Sequence, residues 1–346
     1  QDFFDQTEQG AVLNPSLSDD FQYQENIFAA YFNITRDWEQ WSLDLGLRAE
    51  QTEVMATSKN LGEVNNQYYF ELFPKMSLLY TANENNSFGL SYSRSIARPN
   101  YESLNPFRYF INENNYTDGN PNLVPEIDSK YTFSYTHNNT WFLEAYYWHI
   151  KNPLEELRFQ NNTTRALQNL ETNLIKGYQY SLDLTYAKSV TSWWYLQVVT
   201  SGFFIENEFL AQQSAQQTAL ANTYGFYGQI YSGLVLSEQA NITSDVTALY
   251  ISNLIFGSYT YKNQFNLSAS VRKKIWDKKA SITLGVDDIF NTNNIPVVSR
   301  YANQDNGYFA RTESRLFRVG FTYNFGNSKL RDNNREITTK ESDRLN

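Results

Sequence analysis

Two carboxylates stand side by side in the stretch GVDDIFN, at Asp287 and Asp288. An adjacent acidic pair could ligate a hard cation such as calcium or work as an acid–base couple. On a regular strand, however, neighbouring side chains point to opposite faces, so these two would not converge on one ion. The stretch ANQDNG, residues 302–307, is rich in oxygen ligands but lacks the full spacing of a calcium loop. The two histidines, His137 and His149, fall in a predicted turn and near a predicted strand end, with no serine–carboxylate arrangement beside them. There is no cysteine, which removes disulfides and thiolate chemistry. No catalytic residue, resident metal or cofactor is therefore expected, and the chain is not read as an enzyme. What remains is binding chemistry. Tyr101, Tyr109, Asn112, Asn114, Asn115 and Tyr116 cluster in one polar stretch, where rings can stack on apolar or sugar-like faces and amides can hydrogen-bond. A polar surface loop has the same composition without a ligand, so both readings stand for these six. Pro99, Pro106, Pro121 and Pro125 in the same stretch fix φ, and Gly119 is expected to supply a positive φ.

The elements that would carry such a loop are strands. Period-two alternation dominates the chain. In KGYQYSLDLTYA, Tyr178, Tyr180, Leu182, Leu184 and Tyr186 share one face, and Gln179, Ser181, Asp183 and Thr185 the other. The stretches WSLDLGLRAE, SKYTFSYTHN, QFNLSASVR and LFRVGFTYNF alternate in the same way. Strands are predicted at 22–34, 40–53, 68–81, 87–97, 129–138, 140–151, 174–188, 193–206, 223–236, 240–251, 259–274, 280–290 and 313–325. The Ala/Gln-rich stretch 210–221 is the best helical candidate. No apolar run reaches the ~18 residues of a membrane-spanning helix, but a barrel strand needs only about 9–11 residues with one apolar face. The net charge of −9 argues against a nucleic-acid partner.

Connection lengths decide the class. They alternate short and long: TRDWE, ANENN, HNNT, SVTSW, SEQ and WDKK against 54–67, 98–128, 152–173, 207–222 and 291–312, with a briefer one near 252–258. An outer-membrane barrel has this pattern, with short periplasmic turns and long extracellular loops. Trp38, Trp41, Trp193, Trp194 and Trp276 gather at the short turns, as a periplasmic girdle would. Asp44, Arg48, Glu71, Lys75, Asp183 and Arg272 fall on the inner face. Arg94 interrupts the outer face and is expected to snorkel at an interface. Barrels usually have an even strand number, so an odd count of thirteen predicts further strands upstream. Residues 1–21 then read as the end of an extracellular loop, 22–325 as the C-terminal part of a barrel, with Phe325 closing the last strand, and 326–346 as a charged periplasmic tail.

The run Tyr92-Ser93-Arg94-Ser95-Ile96-Ala97-Arg98-Pro99, then Leu104-Asn105-Pro106-Phe107, then Gly119 to Glu126 (GNPNLVPE) resembles the C-terminal barrel portion of TonB-dependent outer-membrane receptors, in the outer-membrane β-barrel family. ENIFAAYFNI, WSLDLGLRAEQT, GVDDIFNT and GFTYNFG fit the same pattern, over nearly all of 21–327. The resemblance implies an all-β, up-and-down antiparallel transmembrane barrel of about 22 strands, of which this chain would form about thirteen, with an N-terminal plug and a TonB-contacting segment that this sequence does not show. It also implies energy-dependent uptake of a solute across the outer membrane of a Gram-negative bacterium. Expected partners are outer-membrane lipid, the plug and upstream strands, the TonB complex through the N-terminal part, and, as in some relatives, a surface lipoprotein. The inner-face charges would then meet the plug. A self-contained porin-like or adhesive barrel is the alternative, and a soluble all-β binding protein a third reading.

Overall fold

The computed structural model describes all residues except 1, 9, 16, 60, 61, 63, 212–216 and 326–346. The expected tail 326–346 thus lies outside the described residues. One antiparallel sheet of thirteen strands dominates. Its strands, numbered in chain order, are β1 (Phe21–Asp37), β2 (Trp41–Ser58), β3 (Val64–Asn83), β4 (Asn86–Ala97), β5 (Glu126–His137), β6 (Trp141–Lys151) and β7 (Lys176–Thr191). They continue with β8 (Trp194–Ala211), β9 (Gln217–Ser237), β10 (Ile242–Ile251), β11 (Gln264–Ile275), β12 (Ala280–Val286) and β13 (Phe317–Tyr323). Each pairs with its neighbour in sequence, an up-and-down meander without crossovers. Among the described residues, β1 and β13 form the two edges, each with one neighbour.

Register sorts the two faces as the alternation predicts. One face carries rows of directly paired residues such as Tyr92, Tyr131, Tyr147, Tyr180, Phe204 and Tyr224. Phe28, Phe32, Leu90, Leu182, Leu284, Val319 and Phe321 on this face are all exposed. A large exposed apolar face suits hydrocarbon, not water. The other face is polar and internally bonded. Asp183 accepts from Ser181 (2.5 Å) and from Ser201, Asp245 accepts from Tyr231 (2.5 Å) and Ser270 (3.4 Å), and Arg272 donates to Thr283 (3.3 Å).

Tight turns all lie at one end of the sheet. Asn138 and Asn139, with φ of 53° and 49°, supply the left-handed residues of the three-residue turn between His137 and Trp141. Six of the seven tryptophans (Trp38, Trp41, Trp141, Trp193, Trp194 and Trp276) sit in or next to these turns. Trp148 is elsewhere, donating to Asp128 at 2.9 Å.

The other end departs from the expectation of polar loops. The connections 54–67 and 207–222 are largely strand, because β2/β3 and β8/β9 run on as long hairpins. The helical candidate 210–221 is therefore strand on both sides of the undescribed residues 212–216. Ala211 and, just before the stretch, Phe209 are buried, and Ala219 and Ala221 pack against the core that Phe209 joins, so tertiary burial at period two overrides the local helix preference. The predicted strand 259–274 is split into Tyr259–Tyr261 and β11, 280–290 stops at Val286, and 313–325 starts at Phe317 and stops at Tyr323. Phe325 lies beyond the last strand, its ring edge-on to Tyr323 at 4.5 Å.

The remaining connections build two four-stranded sheets. One orders Leu154–Asn161, Ala166–Asn173, Asn115–Asp118 and Arg108–Asn112; the other orders Leu254–Phe256, Tyr259–Tyr261, Ile295–Tyr301 and Gln304–Ala310. Leu157, Phe159, Leu174 and Phe209 are fully buried at this end. At about 1.5–3 kcal/mol per buried large side chain, they make a core of their own. Gln304 clamps the two sheets: its carbonyl accepts from Gln160 N (2.6 Å) and its amide donates to Gln160 O (3.1 Å). Before β1, Phe4–Thr7 and Gly10–Leu13 form a small hairpin.

Candidate functional site

The stretch 98–125 folds inward onto the wall. Its short helix, Tyr101–Leu104, starts from Asn100, whose side chain accepts from Ser103 N. Leu104 and Leu123 are buried at 2% and 1% exposure. Gln67 on β3 donates to Leu123 O (2.8 Å), and Asn65 donates to Pro121 O. Asn173 holds Val124 from both sides, accepting from its N–H and donating to its carbonyl, each at 2.8 Å. Gly119 does not have the positive φ expected of it. Its role is close approach: a Cβ there would collide with the Asn105 carbonyl.

Two concavities flank the helix. Tyr101, beside Tyr23 at 5.4 Å, lines one of about 580 Å³ together with Phe21, Glu25, Ile27 and Asn105. Tyr109 lines a smaller one of about 130 Å³, whose wall includes Asn100, Glu102, Ser103, Asp118 and Glu171. The other four residues of the expected cluster lie along the hairpin 108–118. Asn112 caps its tip by accepting from Asn114 N (2.9 Å), Asn114 O accepts from Leu167 N (2.7 Å), and Asn115 accepts from Asn169 (2.7 Å). Tyr116 lies under the Arg108 guanidinium at 3.9 Å, and Arg108 forks onto Asp118 at 2.7 and 2.9 Å. The six therefore do not converge on one point.

Charge is managed by a motif that the alternation alone did not explain. Pairing of β3 with β4 ends at Lys75 and Ser93. Past that point Arg94 does not snorkel but turns to Glu71 (2.6 Å) and the Leu72 carbonyl, over the Phe73 ring. Arg98 reaches past β3 to Glu50 on β2 (2.7 Å) and Glu25 on β1 (3.2 Å), and Arg48 closes on Glu50 from the other side. The two arginines of the R-x-I-x-R-P stretch thus stitch four strands together at their loop ends.

The pair Asp287–Asp288 is likewise structural. Asp287 meets Arg318 at 2.7 Å. Asp288 is fully buried just past β12 and accepts from Thr292 N, Asn293 N (both 3.0 Å) and Ser314 Oγ (2.6 Å). Burial opposes its ionisation, but these hydrogen bonds hold its carboxyl below the usual value. Among the described residues no group of three or more His, Cys, Asp and Glu could hold a metal ion. His137 bonds Asn86 (2.9 Å) and Asn138 (2.8 Å) through its two ring nitrogens, and His149 stacks on Tyr178.

A family model described as the outer membrane protein beta-barrel family matches residues 1–323. The chain belongs to that family. It resides in the outer membrane of a Gram-negative bacterium, and among the described residues no helix is long and apolar enough to cross a membrane. The fold is that of TonB-dependent receptor barrels. The chain superimposes on the siderophore receptor PirA from Pseudomonas aeruginosa with TM-score 0.52 and 11% identity, covering 89% of this chain and 58% of PirA. For the ferric-catecholate import receptor Fiu from E. coli K12 the values are 0.57 and 14%, over 88% and 45%. For the FrpB iron transporter from Neisseria meningitidis they are 0.56 and 14%, over 88% and 45%. This chain therefore spans about half the length of these structures. No curated protein matches the sequence. The two small sheets and the inward-folded stretch 98–125 lie at the end opposite the tight turns, the end that is extracellular in barrels of this kind.

The small sheet that contains Leu154–Asn161 has one group whose proton affinity is raised toward neutrality. Glu155 is pushed up to about 7, from an ordinary 4.5, by burial and by the nearby charges of Glu126 and Glu171. The folded loop then holds the proton more tightly than the unfolded one, so its stability falls as pH rises from about 4.5 to 7. Amide exchange in Leu154–Asn173 is expected to be slower relative to intrinsic rates at pH 5 than at pH 8. Glu155→Gln should flatten the difference; an unchanged pH profile in that variant would rule Glu155 out as its source.

Proposed function

We propose that this chain is the C-terminal wall of a TonB-dependent receptor that imports a solute from outside the cell. The supporting observation is the pair of sheet edges. A β-strand edge in hydrocarbon leaves backbone N–H and C=O groups unpaired at several kcal/mol each, so β1 and β13 each need a strand partner, which further strands of a larger barrel would supply. In a receptor of this kind the lumen holds a plug, and the polar inner face of the sheet would supply its contact surface. The work is binding and passage rather than bond chemistry. TonB and the plug are the partners this reading implies; a surface lipoprotein is compatible with it but not required by it.

The test is the intact mass of the protein extracted in detergent from its native outer membrane, paired with uptake in cells whose proton-motive force has been collapsed. A polypeptide well above 40.3 kDa and uptake that stops with the uncoupler are expected. A mass equal to these 346 residues with uncoupler-insensitive uptake would instead favour a passive, self-contained barrel.

Within this reading the ligand is met by the loop end, at Tyr101, Tyr109, Asn112, Asn114, Asn115 and Tyr116. Tyr101 and Tyr109 face open concavities, whereas the asparagines hold the hairpin tip. Removing both rings by Tyr101→Ala/Tyr109→Ala should weaken retention of the cognate solute on whole cells by about tenfold, at about 0.5–1.5 kcal/mol per aromatic contact. Asn112→Ala should act through loop order, visible as faster amide exchange of the hairpin. Equal retention by the double variant and wild type would remove these rings from the site.

A further inference from the structure

The outward, lipid-facing surface is not uniform. Along one cross-strand row the side chains read Leu90, Phe133, Ala145, Leu182. The alanine leaves a dip between bulky neighbours. Next to this row, on the loop side, stands a wall of four tyrosines from β4, β5, β6 and β7. Tyr92 and Tyr131 lie 4.6 Å apart, Tyr131 and Tyr147 6.1 Å, Tyr147 and Tyr180 4.8 Å. Together they line an open depression of about 640 Å³ on this surface, within the size range of small-ligand sites.

We propose that this depression is a binding site for an acyl chain of a membrane lipid. It is continuous with the surface that meets the bilayer, so its occupant comes from the hydrocarbon phase. The surrounding hydrocarbon keeps water away, and the floor from Leu90, Phe133, Ala145 and Leu182 offers it no partners. The rings hold one another in stacked or tilted pairs, so the wall is preformed and little rotamer freedom is lost when a chain settles against it. Tyrosine also supplies a polar tip at the edge of an apolar body, suited to the ester or headgroup end of the same lipid. The site needs only the membrane location of the chain, not receptor activity.

The protein, extracted from its own membrane in mild detergent, would be weighed with its noncovalent adducts intact. Wild type is expected to retain a phospholipid after washing that removes the bulk lipid, and to regain it when dioleoylphosphatidylethanolamine is titrated into fully stripped protein. Ala145→Leu fills the dip with a side chain itself suited to hydrocarbon, and is expected to lose the adduct in both arms. Tyr147→Phe keeps the ring and should bind the added lipid more weakly. Should Ala145→Leu not fold, Ala145→Val is the partial fill and should lower retention. Wild type that retains no lipid, or Ala145→Leu that retains it equally, would overturn the proposal. So would a doubled protein mass abolished by Ala145→Leu, since a second copy would then cover this face.

Discussion

Arg98→Ala is expected to be among the most damaging single substitutions in the wall, lowering stability by about 3–5 kcal/mol. Its two carboxylate partners are almost closed off from solvent, Glu25 at 8% and Glu50 at 6% side-chain exposure. Arg48 can still compensate Glu50 when Arg98 is removed, but Glu25 loses its ion pair with Arg98. An exposed pair of the same length would contribute only about 0–1 kcal/mol, so burial sets the size of the effect. Arg98→Lys keeps the charge but not the planar fork that spans two carboxylates, and should fall between. The measurement is thermal unfolding in detergent, followed by strand circular dichroism and by heat-dependent mobility in gels. Neutralising both partners in the Arg98→Met background should recover much of the loss, because the penalty lies in the stranded charges. A melt of Arg98→Ala indistinguishable from wild type would mean that the network is solvated and that something else holds β1 to β4.

Membrane-wall strands were legible because hydrocarbon outside and water or plug inside impose strict alternation on every strand. All thirteen predicted strands have a counterpart in the large sheet, and the short turns are where the sequence places them. Residues 210–221 and the loop sheets were not legible for a common reason. Their burial comes from other loops far away in sequence, as Gln160 and Gln304 illustrate. Nothing near Phe209 announces that it will meet Tyr301. The same holds for the charged clasp. Arg94 and Arg98 sit at a spacing that the lower part of β4 would turn toward lipid, and only the parting of β3 from β4 after Ser93 turns them to the carboxylates. For the candidate ligand residues, type and loop were readable. Which concavity each ring would face was not, since it depends on how the stretch 98–125 folds back against β1 and the small sheet of the loops.

Phe209→Ala tests whether the extracellular lobe is a unit separate from the wall. The ring is 1% exposed, packs edge-on against Tyr301 at 4.9 Å and 88°, and shares its core with Leu157, Phe159 and Leu174. Truncating a buried phenylalanine costs about 3–5 kcal/mol, made up of lost transfer free energy and the cavity left behind. That loss falls on the small loop sheets, because the residues around Phe209 belong to them and to the projecting ends of β8 and β9. Amide exchange and limited proteolysis of intact cells should therefore show opening in 154–173 and 295–310, while the melt of the membrane sheet stays within error of wild type. Tyr301→Ala alone should cost less, and the double variant should fall short of additivity by about 0.5–1.5 kcal/mol, the coupling expected of a ring pair. Solute retention should fall in Phe209→Ala although Phe209 lines neither concavity, because Tyr109 and its wall, Asp118 and Glu171, are placed by the same sheet. If the membrane sheet melted together with the loops, lobe and wall would form one cooperative unit. The extracellular end could then not loosen or close around a solute without disturbing the strands that hold it in the bilayer.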